Sequence, residues 1–141
     1  MAWTFYTSDG EALNHIGVDP LQSTVQAETR LADAASGDVS YDGAGFTPTA
    51  IIVIAAGDGD DDGFSIAAGD DAAGENGASF YDMASTPIMD GGRNMIADVY
   101  AQGQTNGQFA VLKTLDSDGC TFTWTKEGSG SLAAFTILYL R

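Results

Sequence analysis

The chain has 141 residues, of which 20 are acidic and five are basic, so its formal net charge is −15 at neutral pH. A surface of this sign repels phosphate, which argues against nucleic acid as a partner and against insertion into anionic membranes. The longest apolar run is also far shorter than the about 20 residues that a membrane-spanning helix needs. The composition is 44% hydrophobic and includes 18 glycines, which favours one core of short strands and tight turns.

The first 35 residues are less core-like than the rest of the chain. Alternation in "WTFYT" predicts a strand over residues 3–7, with one wet and one packed face. Residues 20–35 allow either a strand over 25–32 or a helix, and the pattern leaves both open. We therefore expect residues 1–35 to form an N-terminal arm or the first strands, with a role in attachment or subunit contact. Residues 36–141 are expected to form the sandwich core, within one domain overall.

Two segments further along the chain, residues 49–56 ("TAIIVIAA") and 132–140 ("LAAFTILYL"), are apolar on both faces and predict central strands. Weaker patterns predict further strands at residues 63–69, 94–102 and 107–115, and clean alternation in "TFTWT" predicts one at 121–125. Turn-forming residues predict connections at 36–38, 41–48 and 89–94, and the acidic stretch 69–79 predicts an exposed loop. About eight strands without helical periodicity predict an all-β fold, an antiparallel β-sandwich or jelly roll.

An acidic segment between two predicted strands has the first half of a calcium-loop spacing. Asp58, Asp60 and Asp62 alternate and Gly63 follows them, as at positions 1, 3, 5 and 6 of such a loop. The twelfth position, which requires a bidentate Glu, is Gly69, and apolar strands flank the segment where helices should be. We therefore predict an exposed strand connection without a tightly held metal, in which the three aspartates are weak candidate ligands, and we expect no cofactor.

The residues that could carry catalysis form no recognisable constellation. His15 is the single histidine, and the chain has no Gly-x-Ser-x-Gly elbow. Acidic pairs such as Asp116 and Asp118 lie in glycine-rich turns, where nothing would tune a carboxyl group for acid–base work. Cys120 lies in an alternating strand pattern, which favours a buried and inert thiol. The sequence therefore predicts a protein that is not an enzyme.

Two neighbouring aromatic residues follow the acidic stretch. Phe80 and Tyr81 are adjacent, so one of the two rings points outward if the chain is extended. An outward ring beside Met83 suits a contact with another subunit or with a glycan. Arg93, in the next predicted turn, completes this set of candidate binding or interface residues.

Three blocks, in chain order, resemble a recurrent class of phage proteins. They are "GAGFTPTAIIVIA" (residues 43–55), "GFSIAAGDDA" (63–72) and "DSDGCTFTWTKEGSGSLAAFTILYL" (116–140). Together with the opening "MAWTFYTSDG", they resemble small β-sandwich virion structural proteins of tailed phages, the decoration or fibre-like accessory proteins. Cys120 stands where an aromatic residue is commoner in such blocks.

This resemblance implies a virion structural protein of a tailed virus, synthesised in the host cytoplasm and carried on the virion surface. It would act by assembly and binding, as a capsid decoration or a short head projection. Its partners would be other virion proteins and further copies of itself, in a homo-oligomer for which a trimer is favoured. The alternative is a receptor- or glycan-binding head of a tail fibre, which would make host attachment its function and a host surface glycan its partner.

Overall fold

The computed structural model describes residues 21–57, 63–70, 74–83, 86–100 and 106–141, with their side chains except at 74, 81–83, 86–93 and 100. These residues form ten strands: β1 (Ser23–Arg30), β2 (Gly37–Asp42), β3 (Ala50–Gly57), β4 (Phe64–Asp70), β5 (Gly74–Met83), β6 (Thr86–Arg93), β7 (Ala97–Tyr100), β8 (Gly107–Asp116), β9 (Gly119–Glu127) and β10 (Ala133–Leu140). Over this described part, the chain contains no helix long and apolar enough to cross a membrane.

The strands form two antiparallel sheets that pack against each other. The larger sheet has six strands in the order β1-β10-β3-β4-β5-β6, and the smaller has four in the order β2-β9-β8-β7. This arrangement confirms the predicted antiparallel β-sandwich. It also confirms the central position of the two strands that are apolar on both faces, because β3 and β10 pair with each other inside the larger sheet.

The core lies between the sheets and is built from alternate residues of the central strands. Four aromatic rings fill its middle, and Tyr41 stands with its centroid 5.1 Å from that of Phe122 and 5.3 Å from that of Phe135. The Trp124 ring lies 5.6 Å from Phe135 and donates a hydrogen bond of 2.9 Å to the Tyr41 hydroxyl. Cys120 is buried beside them as predicted, and burial raises the pKa of its thiol to about 12.

A polar clamp closes one end of the sandwich. Arg30 is buried at the end of β1, where its Nε donates to Gln108 Oε1 at 2.7 Å and its guanidinium lies 5.0 Å from the Trp124 ring centroid. The Gln108 amide in turn donates to the carbonyl oxygens of Leu31 and Ser131. Because Gln108 lies on β8, this network joins an edge of the larger sheet to the smaller sheet.

Three segments that the sequence assigned to turns or loops are strands. β2 includes residues 37–38 and 41–42 of the predicted connections at 36–38 and 41–48, β6 includes residues 89–93 of the one at 89–94, and β5 includes residues 74–79 of the predicted loop 69–79. The reason is visible at Gly77 of β5, where a Cβ atom would lie 2.7 Å from the Ala67 Cβ and 2.9 Å from the Met95 carbonyl oxygen. Glycine stands there because neighbouring chains approach closely, and not because the chain turns.

The segment that the sequence left open between helix and strand is a strand. β1 pairs antiparallel with β10 over its whole length and forms an edge of the larger sheet. Its alternating burial has a period of two, so a helix over these residues would have rotated half of the inward side chains away from the core. The strand predicted over residues 3–7 lies outside the described residues.

Candidate functional site

The outward residues of β2 and β9 in the smaller sheet are polar. The hydroxyls of Ser40 and Thr121 are 2.9 Å apart, and Thr123 donates to Asp38 at 2.6 Å. Asp38 also forms an exposed ion pair with Lys113, and the hydrogen bonds from Lys113 and Thr123 lower its pKa. Such a surface is what an antiparallel sheet normally presents to water.

The outer face of the larger sheet has the opposite character. Three rows of cross-strand neighbours run over β1, β10, β3 and β4, and we call their twelve outward residues the apolar face. The rows are Val25–Leu138–Ile52–Ala68, Ala27–Thr136–Ile54–Ile66 and Thr29–Ala134–Ala56–Phe64. None of these residues carries a charge, although the chain as a whole has a net charge of −15.

Four large side chains stand out of this face into solvent. The exposed fractions are 65% for Val25, 52% for Ile54, 49% for Phe64 and 47% for Ile66. At a strand spacing of ~4.8 Å and a rise of ~3.4 Å per residue, the three rows cover about 400 Å². The largest apolar patch of a monomeric protein typically covers about 300–600 Å² and is often functional, so this face is a candidate contact surface.

The apolar face has one ridge of large side chains with a shallow hollow on each side. Ile54 and Ile66 are cross-strand partners and form a ridge along its middle row. A shallow hollow floored by Ala27, Ala56 and Ala134 lies on one side of the ridge. A second hollow, beside Ile52 and floored by residues including Ala68 and Ala78, lies on the other side. The face therefore carries both protruding and receiving features.

The predicted interface residues lie at one border of this face. Phe80 of β5 is half-buried and pairs with Phe64 of β4, with the two ring centroids 5.7 Å apart. Tyr81 and Met83 belong to β5 and Arg93 to β6, so all three lie in strands, but their side chains lie outside the described residues. The structure thus brings one of the four candidates to the edge of the apolar face.

The residues that the sequence analysis missed are the outward side chains of β1, β3 and β4. The pattern that could have indicated them is "TAIIVIAA", which is apolar on both faces. That pattern predicts a strand buried on both sides. β3 is central within its sheet, but the sandwich covers only its inner face. Among the described residues, Ile54 on its outer face remains half-exposed.

The candidate metal ligands Asp58, Asp60 and Asp62 lie outside the described residues, as does His15. The strands on either side of the three aspartates pair antiparallel, and the Gly57 amide donates to the Gly63 carbonyl oxygen at 3.1 Å. The segment therefore connects two neighbouring strands, as predicted. Within the described ranges, no three acidic, histidine or cysteine side chains cluster in a way that could hold a metal ion.

The turn acids Asp116 and Asp118 have structural contacts. Asp116 accepts a hydrogen bond of 2.7 Å from Thr121, and Asp118 accepts one of 2.6 Å from the Gly45 amide. The Asp118 carbonyl oxygen also accepts from the amides of Gly43 and Ala44. These bonds hold the loop after β2 against the β8–β9 turn.

Among the described residues, one carboxyl group is enclosed in the core. Asp98 of β7 is fully buried, its amide donates to Ser65 Oγ at 2.9 Å, and neither of its carboxyl oxygens has a hydrogen-bond partner among the described residues. Burial raises its pKa to about 6, and the nearby Ser79 hydroxyl offsets part of that shift without a hydrogen bond of normal geometry. Because solvent does not reach this group, its titration acts on stability rather than on a bound substrate.

In comparisons with known proteins, no family model, no curated protein and no solved structure matched this chain. The resemblance of its blocks to tailed-phage virion proteins therefore stays a prediction. What the structure adds is a surface whose chemistry can be argued directly.

Proposed function

We propose that this protein is a structural module that acts by assembly, through contact of its apolar face with another protein surface. The observation that carries this proposal is a patch without charged residues on a chain whose net charge is −15. Four large apolar side chains of this patch are about half exposed or more. Contact between apolar surface and water is unfavourable. Burial of about 400 Å² of this face therefore contributes a free energy on the order of 10 kcal/mol, at ~25 cal/mol per Å².

The size of that gain indicates a weak contact that is used many times. A contact buries this face and an equal area of its partner, about 20 kcal/mol by the same factor. Most of this gain is offset by about 4–15 kcal/mol of lost translational and rotational freedom and by the ordering of side chains at the contact. A single contact is therefore short-lived, but repetition over a symmetric particle raises the effective affinity. A small protein that is present in many copies on such a particle can be held there by weak contacts of this kind.

The particle that we propose is a virion of a tailed virus, with this protein decorating the capsid or forming a short head projection. The sequence blocks given above support this assignment, and the sandwich fold is compatible with it. The test is to determine its copy number and location in purified virus particles. Hundreds of copies on the head are expected, and absence from the particle contradicts the proposal.

A second candidate function is glycan binding by a tail-fibre head, and one observation favours it. Phe64 and Phe80 form an aromatic pair with Phe64 half-exposed, and an exposed ring can stack on a sugar. Binding to a glycan array that Phe64→Ala abolishes and Leu31→Ala does not would support this candidate. Leu31 is a suitable control because it is equally apolar, is 62% exposed and lies outside the apolar face.

A further inference from the structure

Resting on the proposed function, we infer that the surface which covers the apolar face is the apolar face of a second copy of this chain. The two copies are related by a two-fold axis that runs parallel to the strands, between β10 and β3. Two sheets packed in this way lie about 10 Å apart with their strands roughly aligned. This two-fold pair differs from the trimer that the resemblance to phage proteins favours, and it is proposed in its place.

The arrangement of large and small residues in the register rows carries this inference. A two-fold axis between β10 and β3 places β4 of one copy over β1 of the other, so the two ends of each row meet. In the first row the ends are Val25 and Ala68, and in the second they are Ala27 and Ile66. At these row ends a larger side chain meets a small one, while in the middle of the rows Leu138 meets Ile52 and Thr136 meets Ile54.

The third row follows the same rule. Its ends are Thr29 and Phe64, so the exposed ring of each copy covers a threonine of the other. In the middle of this row, Ala134 meets Ala56, and the two alanines leave room for the ridges that pass beside them. An axis parallel to the strands sets each row of one copy against the same row of the other, so the symmetry itself defines the position along the strands.

Charge is compatible with the same axis. The next row, at one end of the face, runs Ser23–Leu140–Ala50–Asp70 and carries an acidic residue. Glu28 of the edge strand β1 points to the other side of the sheet but lines the hollow floored by Ala27. The two-fold axis sets Asp70 of one copy opposite Ser23 of the other, so within these four rows no carboxylate faces a carboxylate. Two strongly acidic copies can therefore meet at this face, whereas their other surfaces repel.

The area indicates how tight the pair is. Burial of the apolar face on both copies removes about 800 Å² in total, which is below the about 1,200–2,000 Å² of stable specific interfaces and in the range of weak, transient ones. We therefore expect a weak contact, with dimers at high concentration and monomers after dilution.

Sedimentation velocity on the full chain tests this inference, with two variants that are each designed to prevent pairing. Val25→Asp and Ala68→Lys each place a charge in the contact without its counterpart, so each alone is expected to weaken dimerisation at least tenfold. An equimolar mixture is expected to dimerise again, because one of the two Val25–Ala68 contacts then joins opposite charges and the other is unchanged.

Two controls make the register itself falsifiable. Leu31→Asp adds the same charge at an exposed apolar residue outside the face and should leave dimerisation unchanged. Ala56→Lys, mixed with Val25→Asp, should not restore pairing because Ala56 faces Ala134. Melting temperatures within a few degrees of the unmodified chain show that each variant is folded.

The possible outcomes separate this inference from the proposed function. A monomer at all concentrations, or a mixture of Val25→Asp and Ala68→Lys that stays monomeric, overturns the pairing of two copies. If Ile66→Asp then still abolishes incorporation into the particle, the face binds a different virion protein and the proposed function stands. If the mixture dimerises but Ile66→Asp is incorporated normally, the pairing stands and the proposed role of the face in assembly is wrong.

Discussion

At the scale of single residues, the enclosed carboxyl group of Asp98 links stability to pH. Its pKa in the folded chain is about 6, above the ordinary value of 3.8, so between these two pH values the folded chain holds a proton that the unfolded chain has lost. Stability contributed by this group is therefore lost as pH rises through that window. Above it, the fold must accommodate a buried negative charge without a hydrogen-bond partner among the described residues.

Asp98→Asn removes this titration and keeps the shape of the side chain. We expect the variant to be more stable than the unmodified chain at pH 8, by about 1–3 kcal/mol, and the difference to shrink towards pH 4. Urea denaturation of both proteins between pH 4 and pH 8 measures the difference. If the difference in unfolding free energy between the two proteins were the same at every pH, the pKa of the Asp98 carboxyl group would not be raised in the folded chain.

At the scale of elements, part of the sandwich was predictable and part was not. The apolar blocks predicted β3 and β10 because hydrophobic runs act locally, whatever their neighbours. β5 was not predictable, since "GENGAS" has the composition of a loop and becomes a strand only through pairing with β4. The apolar face was missed for a similar reason, because sequence shows that β3 is apolar on both sides but not that the fold covers only one.

Gly77 tests the explanation for β5. Gly77→Ala should destabilise the fold by about 1–3 kcal/mol, because the new methyl group would lie 2.7 Å from the Ala67 Cβ and 2.9 Å from a backbone oxygen. The neighbouring Ala78→Ser serves as a control, because Ala78 is exposed on the opposite side of the strand. Thermal melts of the two variants compare them, and equal melting temperatures would refute the close approach.

At the scale of the whole molecule, the net charge of −15 opposes every encounter between two copies. Salt shortens the range of this repulsion from about 8 Å at 0.15 M to about 3 Å at 1 M, while burial of apolar surface is not weakened. We therefore expect the dimer to become several-fold tighter between 0.1 M and 1 M NaCl, as measured by sedimentation equilibrium. A contact made of ion pairs would weaken over the same range.

The most direct test of the account is the solvent exposure of the apolar face in solution, measured by hydroxyl-radical footprinting at two concentrations. On going from 1 µM to 200 µM protein, we expect oxidation of Ile54, Phe64 and Ile66 to fall several-fold, while oxidation of Leu31 stays constant. Equal oxidation of all four residues at both concentrations would show that no second copy covers this face and would contradict the account.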